Sequence, residues 1–105
     1  MTKLNHNEQN NTLILELLSL LYSGDLTSGE LLKTLRKELM GLSQLAFAEQ
    51  VGISRRTLIA LEQDKASPTL QILNAAFKPF GLKYNLVAKD DDLMHQLIQH
   101  QHTQD

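Results

Sequence analysis

The chain contains no cysteine, so neither a disulfide framework nor a cysteine-ligated zinc finger is available to it. No apolar run approaches the roughly 20 residues that a membrane-spanning helix needs. No basic region leading into a long apolar core marks a signal peptide. A large basic excess is missing too: the net charge is −2, which does not by itself point to a nucleic-acid partner. The central stretch also holds no paired carboxylates, no nucleophile–histidine pair and no phosphate-cradling glycine loop. No enzyme, catalytic residue or cofactor is therefore expected. With 105 residues, one domain with one modest core is expected, soluble and cytoplasmic.

The distribution of charge says more than its total. Residues 1–32 carry a net −3, from Lys3 against Glu8, Glu16, Asp25 and Glu30. Residues 33–65 carry +2, with Lys33, Arg36, Lys37, Arg55, Arg56 and Lys65 outweighing four acids, and the remainder carries −1. The middle is the net-basic third, as contact with phosphates requires.

That third contains the stretch LSQLAFAEQVGISRRTLIALEQDKASP, Leu42 to Pro68. Phe47, Ala48 and Val51 recur at helical spacing behind Ser43, whose hydroxyl can cap the first turn. Gly52 stops that helix where a left-handed residue is needed. Ile53 plugs the turn and Ser54 caps a second helix from about Arg55 to Gln63. Leu58 and Leu61 face inward there, leaving Arg55, Arg56, Ile59 and Ala60 on other faces. Two short helices across a tight turn make a helix-turn-helix.

The frame resembles that of the Cro/C1 (XRE) type, phage-repressor-like DNA-binding domain. It is met without a gap by Leu42, Ser43, Gln44, Phe47, Ala48, Gly52, Ile53, Ser54, Thr57, Leu58, Leu61, Glu62, Lys65 and Pro68. The resemblance implies an all-α helix-turn-helix bundle that binds double-stranded DNA at a palindromic operator as a dimer. It puts Gln44 at the start of the supporting helix, facing phosphates. Ser54, Arg55, Arg56 and Thr57 open the recognition helix, with Arg55 and Arg56 as readers of base edges. Ile59 and Ala60 stand where relatives have polar readers, which leaves apolar contact, and Lys65 reaches a phosphate. Asp64 replaces a glycine usual in the family; Asp tolerates the left-handed turn, but its charge should weaken phosphate binding. Leu45, at a position usually polar, either packs on the leading helix or meets another protein. Glu62 is the family's acid that pairs with a base in the preceding helix. An extra residue before Gly41 leaves Arg36 and Lys37 both open for that role.

Around this motif the chain divides into a disordered arm over 1–11, the binding domain over 12–89, and a short helix with a flexible, solvated tail over 90–105. Asn11 or Thr12 caps a leucine-rich helix from Leu13 to Tyr22. A helix apolar nearly all round must be covered on more than one side. Leu13, Leu17, Leu20 and Leu21 are thus candidates for contact with a partner as well as with the core. Thr27 and Glu30 form a capping box ahead of a helix over about 28–40, with Leu32, Leu35 and Leu39 inward. Ser67 and Pro68 start a further helix that Pro79 and Gly81 end.

Leu82, Tyr84, Leu86 and Ala88 alternate with Lys83, Asn85 and Val87, the period of a half-buried strand. A lone strand has no partner in its own chain, so a short C-terminal β-strand pairing across a dimer is expected, with Leu82, Tyr84, Leu86 and Val87 in the interface. The run Lys78 to Lys83 (KPFGLK) followed by that strand, out to Ala88, resembles the Hip-type antitoxin branch of the family, in which the strand helps build the dimer. That resemblance implies an autoregulating antitoxin whose partner is a kinase-like toxin. Two alternatives are a stand-alone small regulator and a toxin-binding module in which the helix-turn-helix is mainly a scaffold. Asp90 to Asp92 read as a helix start, and the spacing of His95, His100 and His102 leaves no metal site expected.

Overall fold

The computed structural model describes residues 6–87 and 90–103. Six α-helices follow one another: α1 (His6–Ser23), α2 (Ser28–Leu35), α3 (Gln44–Val51), α4 (Arg55–Glu62), α5 (Leu70–Phe77) and α6 (Asp91–Thr103). A π-turn, Arg36–Met40, follows α2 and a 3-10 turn, Lys78–Phe80, follows α5. Among the described residues no helix is long and apolar enough to cross a membrane.

Local signals set most of the helix starts. Thr27 caps α2 in the capping box: the Glu30 N–H donates to Thr27 Oγ1 at 3.1 Å, and the Thr27 N–H donates to Glu30 Oε1 at 3.1 Å. Ser43 and Ser54 cap α3 and α4 in the same sense, each accepting an N–H from the first turn. Thr69, two residues later than expected, caps α5. Pro68 therefore precedes the helix instead of opening it.

Leu31, Leu32 and Leu35 of α2 meet Phe47 and Ala48 of α3, Leu58 and Leu61 of α4, and Ala76 and Phe77 of α5 in one core. Phe80 closes it, its ring stacked on Phe47 at 6.0 Å. Leu17 brings α1 into this core, with Leu13, Ile14, Leu18 and Leu21 packed against its edge. The leading helix thus covers the domain with one side, while Leu15, Leu20 and Tyr22 stay exposed.

The expected C-terminal β-strand is absent: residues 82–87 are irregular, and no strand occurs among the described residues. Ala88 lies outside them. The reason is that a single chain offers this segment no ladder, and its amides bond elsewhere. The Tyr84 N–H donates to Asn74 Oδ1 at 2.7 Å, and the Leu86 N–H to its neighbour Asn85 Oδ1 at 2.9 Å. The alternation was real over its first half. Leu82 and Tyr84 are half-buried, and the Tyr84 ring sits edge-on to Phe77 at 5.5 Å. It fails at Leu86, which is 95% exposed.

Both ends are more helical than expected. α1 begins at His6 instead of Leu13, so residues 6–11 of the arm expected to be disordered are its first turns. Once an apolar segment has nucleated a helix, each added residue costs little, and the Thr12 hydroxyl bonds back to the Glu8 carbonyl at 2.8 Å instead of capping. Residues 1–5 lie outside the described ones. At the other end α6 runs on to Thr103 where a flexible tail was expected. Acids at its positive end support it, as does the 3.0 Å contact between His95 and Gln99 one turn apart.

Candidate nucleic-acid interface

The helix-turn-helix is α3, its turn and α4. Gly52 has φ +80, the left-handed conformation that lets the chain leave α3 in so few residues. Ile53, half-buried, fills the turn. The Ser54 hydroxyl accepts the Thr57 N–H at 3.0 Å and donates to Thr57 Oγ1 at 2.8 Å. These two side chains therefore define the start of α4. Arg55 and Arg56 follow the cap and are both exposed. Ile59 and Ala60, one turn on, are half-buried, and Lys65 is exposed past the end of the helix.

The far end of α4 is fastened instead. Glu62 is buried, and so is Arg36. Arg36 Nε donates to Glu62 Oε2 at 2.7 Å and Nη2 to Oε1 at 2.9 Å, a bidentate pair. The third nitrogen, Nη1, donates to the Leu42 carbonyl at 2.7 Å. Among the described residues no buried side-chain nitrogen or oxygen lacks a partner. Arg36, not Lys37, thus takes the paired position. The extra residue before Gly41 is absorbed by the π-turn: the Gly41 N–H reaches back five residues to the Arg36 carbonyl. A π-bulge accommodates one added residue without turning the preceding face away from the core. Lys37 is left exposed.

Gln44 is joined to this pair, its Nε2 donating to Glu62 Oε1 at 3.2 Å. A side-chain amide has two N–H groups, and this bond uses one of them within the domain.

Sequence reasoning missed a second fastening. Asp64 has φ +58, as its replacement of a glycine suggested. Its carboxylate, however, is tied to the start of α2. The Gly29 N–H donates to Oδ1 at 2.9 Å and the Thr27 hydroxyl donates to Oδ2 at 2.6 Å. An acid at a helix N-terminus is stabilised by the unpaired amides there, so the charge expected to oppose phosphates is used within the fold. Gly29 makes the approach possible: a Cβ there would lie 2.5 Å from the Leu61 carbonyl oxygen and 2.6 Å from that of Glu62. The one signal in the sequence was a glycine inside a capping box, paired with an acid at a glycine position 35 residues later.

Of the four residues expected to interface across a strand, Leu82 and Tyr84 pack on their own core, whereas Leu86 and Val87 are exposed. Of the leading-helix candidates, Leu17 is core, Leu13 and Leu21 border it, and Leu20 is exposed. Leu45, for which packing on the leading helix and contact with another protein were both open, is 53% exposed. No group of three or more acids and histidines among the described residues could hold a metal ion.

Comparison with known families agrees with this geometry, since the helix-turn-helix family model matches residues 32–86, more than half of the chain. The chain belongs to the helix-turn-helix family. Its helix-turn-helix region is 41% identical over 54 residues to an uncharacterised HTH-type transcriptional regulator of Methanothermobacter thermautotrophicus, covering 51% of this chain and 77% of that one. It is 34% identical over 58 residues to another from Methanocaldococcus jannaschii, covering 53% and 88%. The immunity repressor protein of Bacillus phage phi105 is 30% identical over 69 residues, 66% of this chain and 47% of the repressor. The chain thus spans about half the length of that phage protein. No solved structure matches at a significant level.

Proposed function

We propose that the protein is a sequence-specific DNA-binding repressor that acts as a dimer on a palindromic operator. The observation that carries this is the asymmetry of α4. Two exposed guanidiniums stand at its capped start, while its end is anchored by a buried ion pair. A recognition helix enters the major groove with its N-terminal residues at base edges, where an arginine can donate twice to guanine O6 and N7. Ile59 and Ala60 offer methyl contacts, and Gln44 and Lys65 position the backbone. The relatives named as transcriptional regulators and as an immunity repressor support the same reading.

The finer assignment, an autoregulating Hip-type antitoxin with a kinase-like toxin partner, rests on the resemblance over Lys78 to Ala88, of which the strand was a part. It gains nothing from the expected strand, which does not form. Selection of binding sites from a random duplex pool tests the main reading. Two inverted half-sites about 34–36 Å apart are expected. Failure to enrich any sequence would remove the repressor reading and favour a protein-binding module.

A further inference from the structure

Two apolar features outside the helix-turn-helix lack a counterpart among the described residues. The first is a groove of about 280 Å³ between α1 and the irregular segment after α5. Leu18, Leu21 and Tyr22 form one wall; Leu82, Tyr84 and Val87 form the other. The second is α6. Every described side chain of this helix except Met94 is exposed, yet Leu93, Met94, Leu97 and Ile98 recur one turn apart and make an apolar stripe. Leu93 is 52%, Leu97 42% and Ile98 43% exposed. In this structure α6 therefore does not occupy its own chain's groove.

We infer that α6 of a second copy of this chain lies in the groove between α1 and residues 82–87, and that the exchange is reciprocal. This deepens the dimer of the proposed repressor and rests on that reading for its role on DNA. Size, charge and symmetry favour this occupant. An apolar cavity of about 150 Å³ takes a benzene-sized group, so the groove has room for roughly two large side chains of the stripe. Lys83 is the charged residue lining the groove, whereas residues 90–103 carry Asp90, Asp91 and Asp92 and no lysine or arginine. An acidic, amphipathic helix is thus the complementary ligand, and the chain encodes one. Each copy has one groove and one helix, so a two-fold axis satisfies both at once and closes the assembly. Val87 in the groove and Asp91 at the start of α6 are four positions apart, at most about 14 Å of chain. Two copies that exchange one helix are therefore close enough to exchange the other.

The absence of native cysteine makes a direct test possible on the full chain. Leu97→Cys and Tyr22→Cys proteins, distinguishable by mass, are mixed, equilibrated and mildly oxidised. A disulfide joining position 97 of one chain to position 22 of the other is expected in excess of either like-with-like product. A dominant 97-to-97 product would overturn the inference in favour of α6 pairing with α6. An intramolecular bond in the doubly substituted chain would overturn it in favour of self-docking. A monomer by sedimentation at every concentration would overturn it outright. Leu97→Glu should weaken dimerisation by about tenfold or more, as loss of an interface anchor does, while melting at a concentration low enough for monomer stays unchanged, because Leu97 has no place in the core. If the exchange fails while a palindrome is still selected, this inference falls and the repressor reading stands. If the cross-link forms but no DNA is selected, the repressor reading falls and the exchange stands.

Discussion

At its start α4 presents two exposed arginines above a serine cap; at its end Glu62 is buried against Arg36, and Asp64 just beyond is fastened to the first turn of α2. The two ends of one eight-residue helix thus carry different burdens. The start has almost no structural duty beyond the cap, so its side chains are left for a ligand. The end has little to offer a ligand and fixes where the start points. A recognition helix needs both, because base readout fails if the helix is free to tilt. Stability and recognition should therefore separate along α4.

The largest effect is expected at the anchored end. Glu62→Ala leaves the Arg36 guanidinium buried without its partner and should cost about 3–5 kcal/mol of stability. That is a large part of the total for a small domain, about 5–15 kcal/mol. Replacing the pair together, Arg36→Met with Glu62→Leu, should cost far less. Urea unfolding distinguishes the two, and equal losses would mean that the pair is not an anchor.

Gly29→Ala comes next. The new Cβ would press on two backbone carbonyls at the end of α4, which should cost about 1–3 kcal/mol. In a domain of this size each kcal/mol lowers the melting temperature by about 4–8 °C. An unchanged melting curve would show that α2 and α4 do not meet as closely as described.

The exposed end should behave in the opposite way. Arg55→Ala or Arg56→Ala should cost about 1–3 kcal/mol of operator binding and leave folding stability within about 0.5 kcal/mol. Smallest of all is Lys65→Ala. It should weaken operator and random DNA alike and lower the salt slope of binding by about one, measured by titration at several ionic strengths.

How much of this was legible beforehand follows the range of the interactions. The starts of α2, α3 and α4 and the end of α3 were readable because Thr27, Ser43, Gly52 and Ser54 act within one turn of where they stand. The choice of Arg36 over Lys37 was not, since it depends on a π-turn that redistributes one extra residue. Asp64 was legible as a left-handed residue but not as a cap on α2, because its partners lie 35 and 37 residues away. The strand failed for a related reason. Alternation reports which side chains face inward, as Leu82 and Tyr84 do, but a strand also needs a second backbone. Of the site, Arg55, Arg56 and Lys65 are exposed. Gln44 is partly engaged by Glu62, and Ile59 and Ala60 are half-buried.

The central claim, that the free end of α4 reads sequence while its fixed end holds the fold, is tested most directly by one paired measurement. Arg55→Ala and Arg56→Ala are each titrated against the selected operator and against random duplex at one salt concentration, beside thermal melts of the same proteins. Melting should be unchanged, and the loss on the operator should narrow its margin over random DNA by about tenfold or more. Equal losses on both DNAs, or no loss on either, with both proteins fully folded, would contradict that claim.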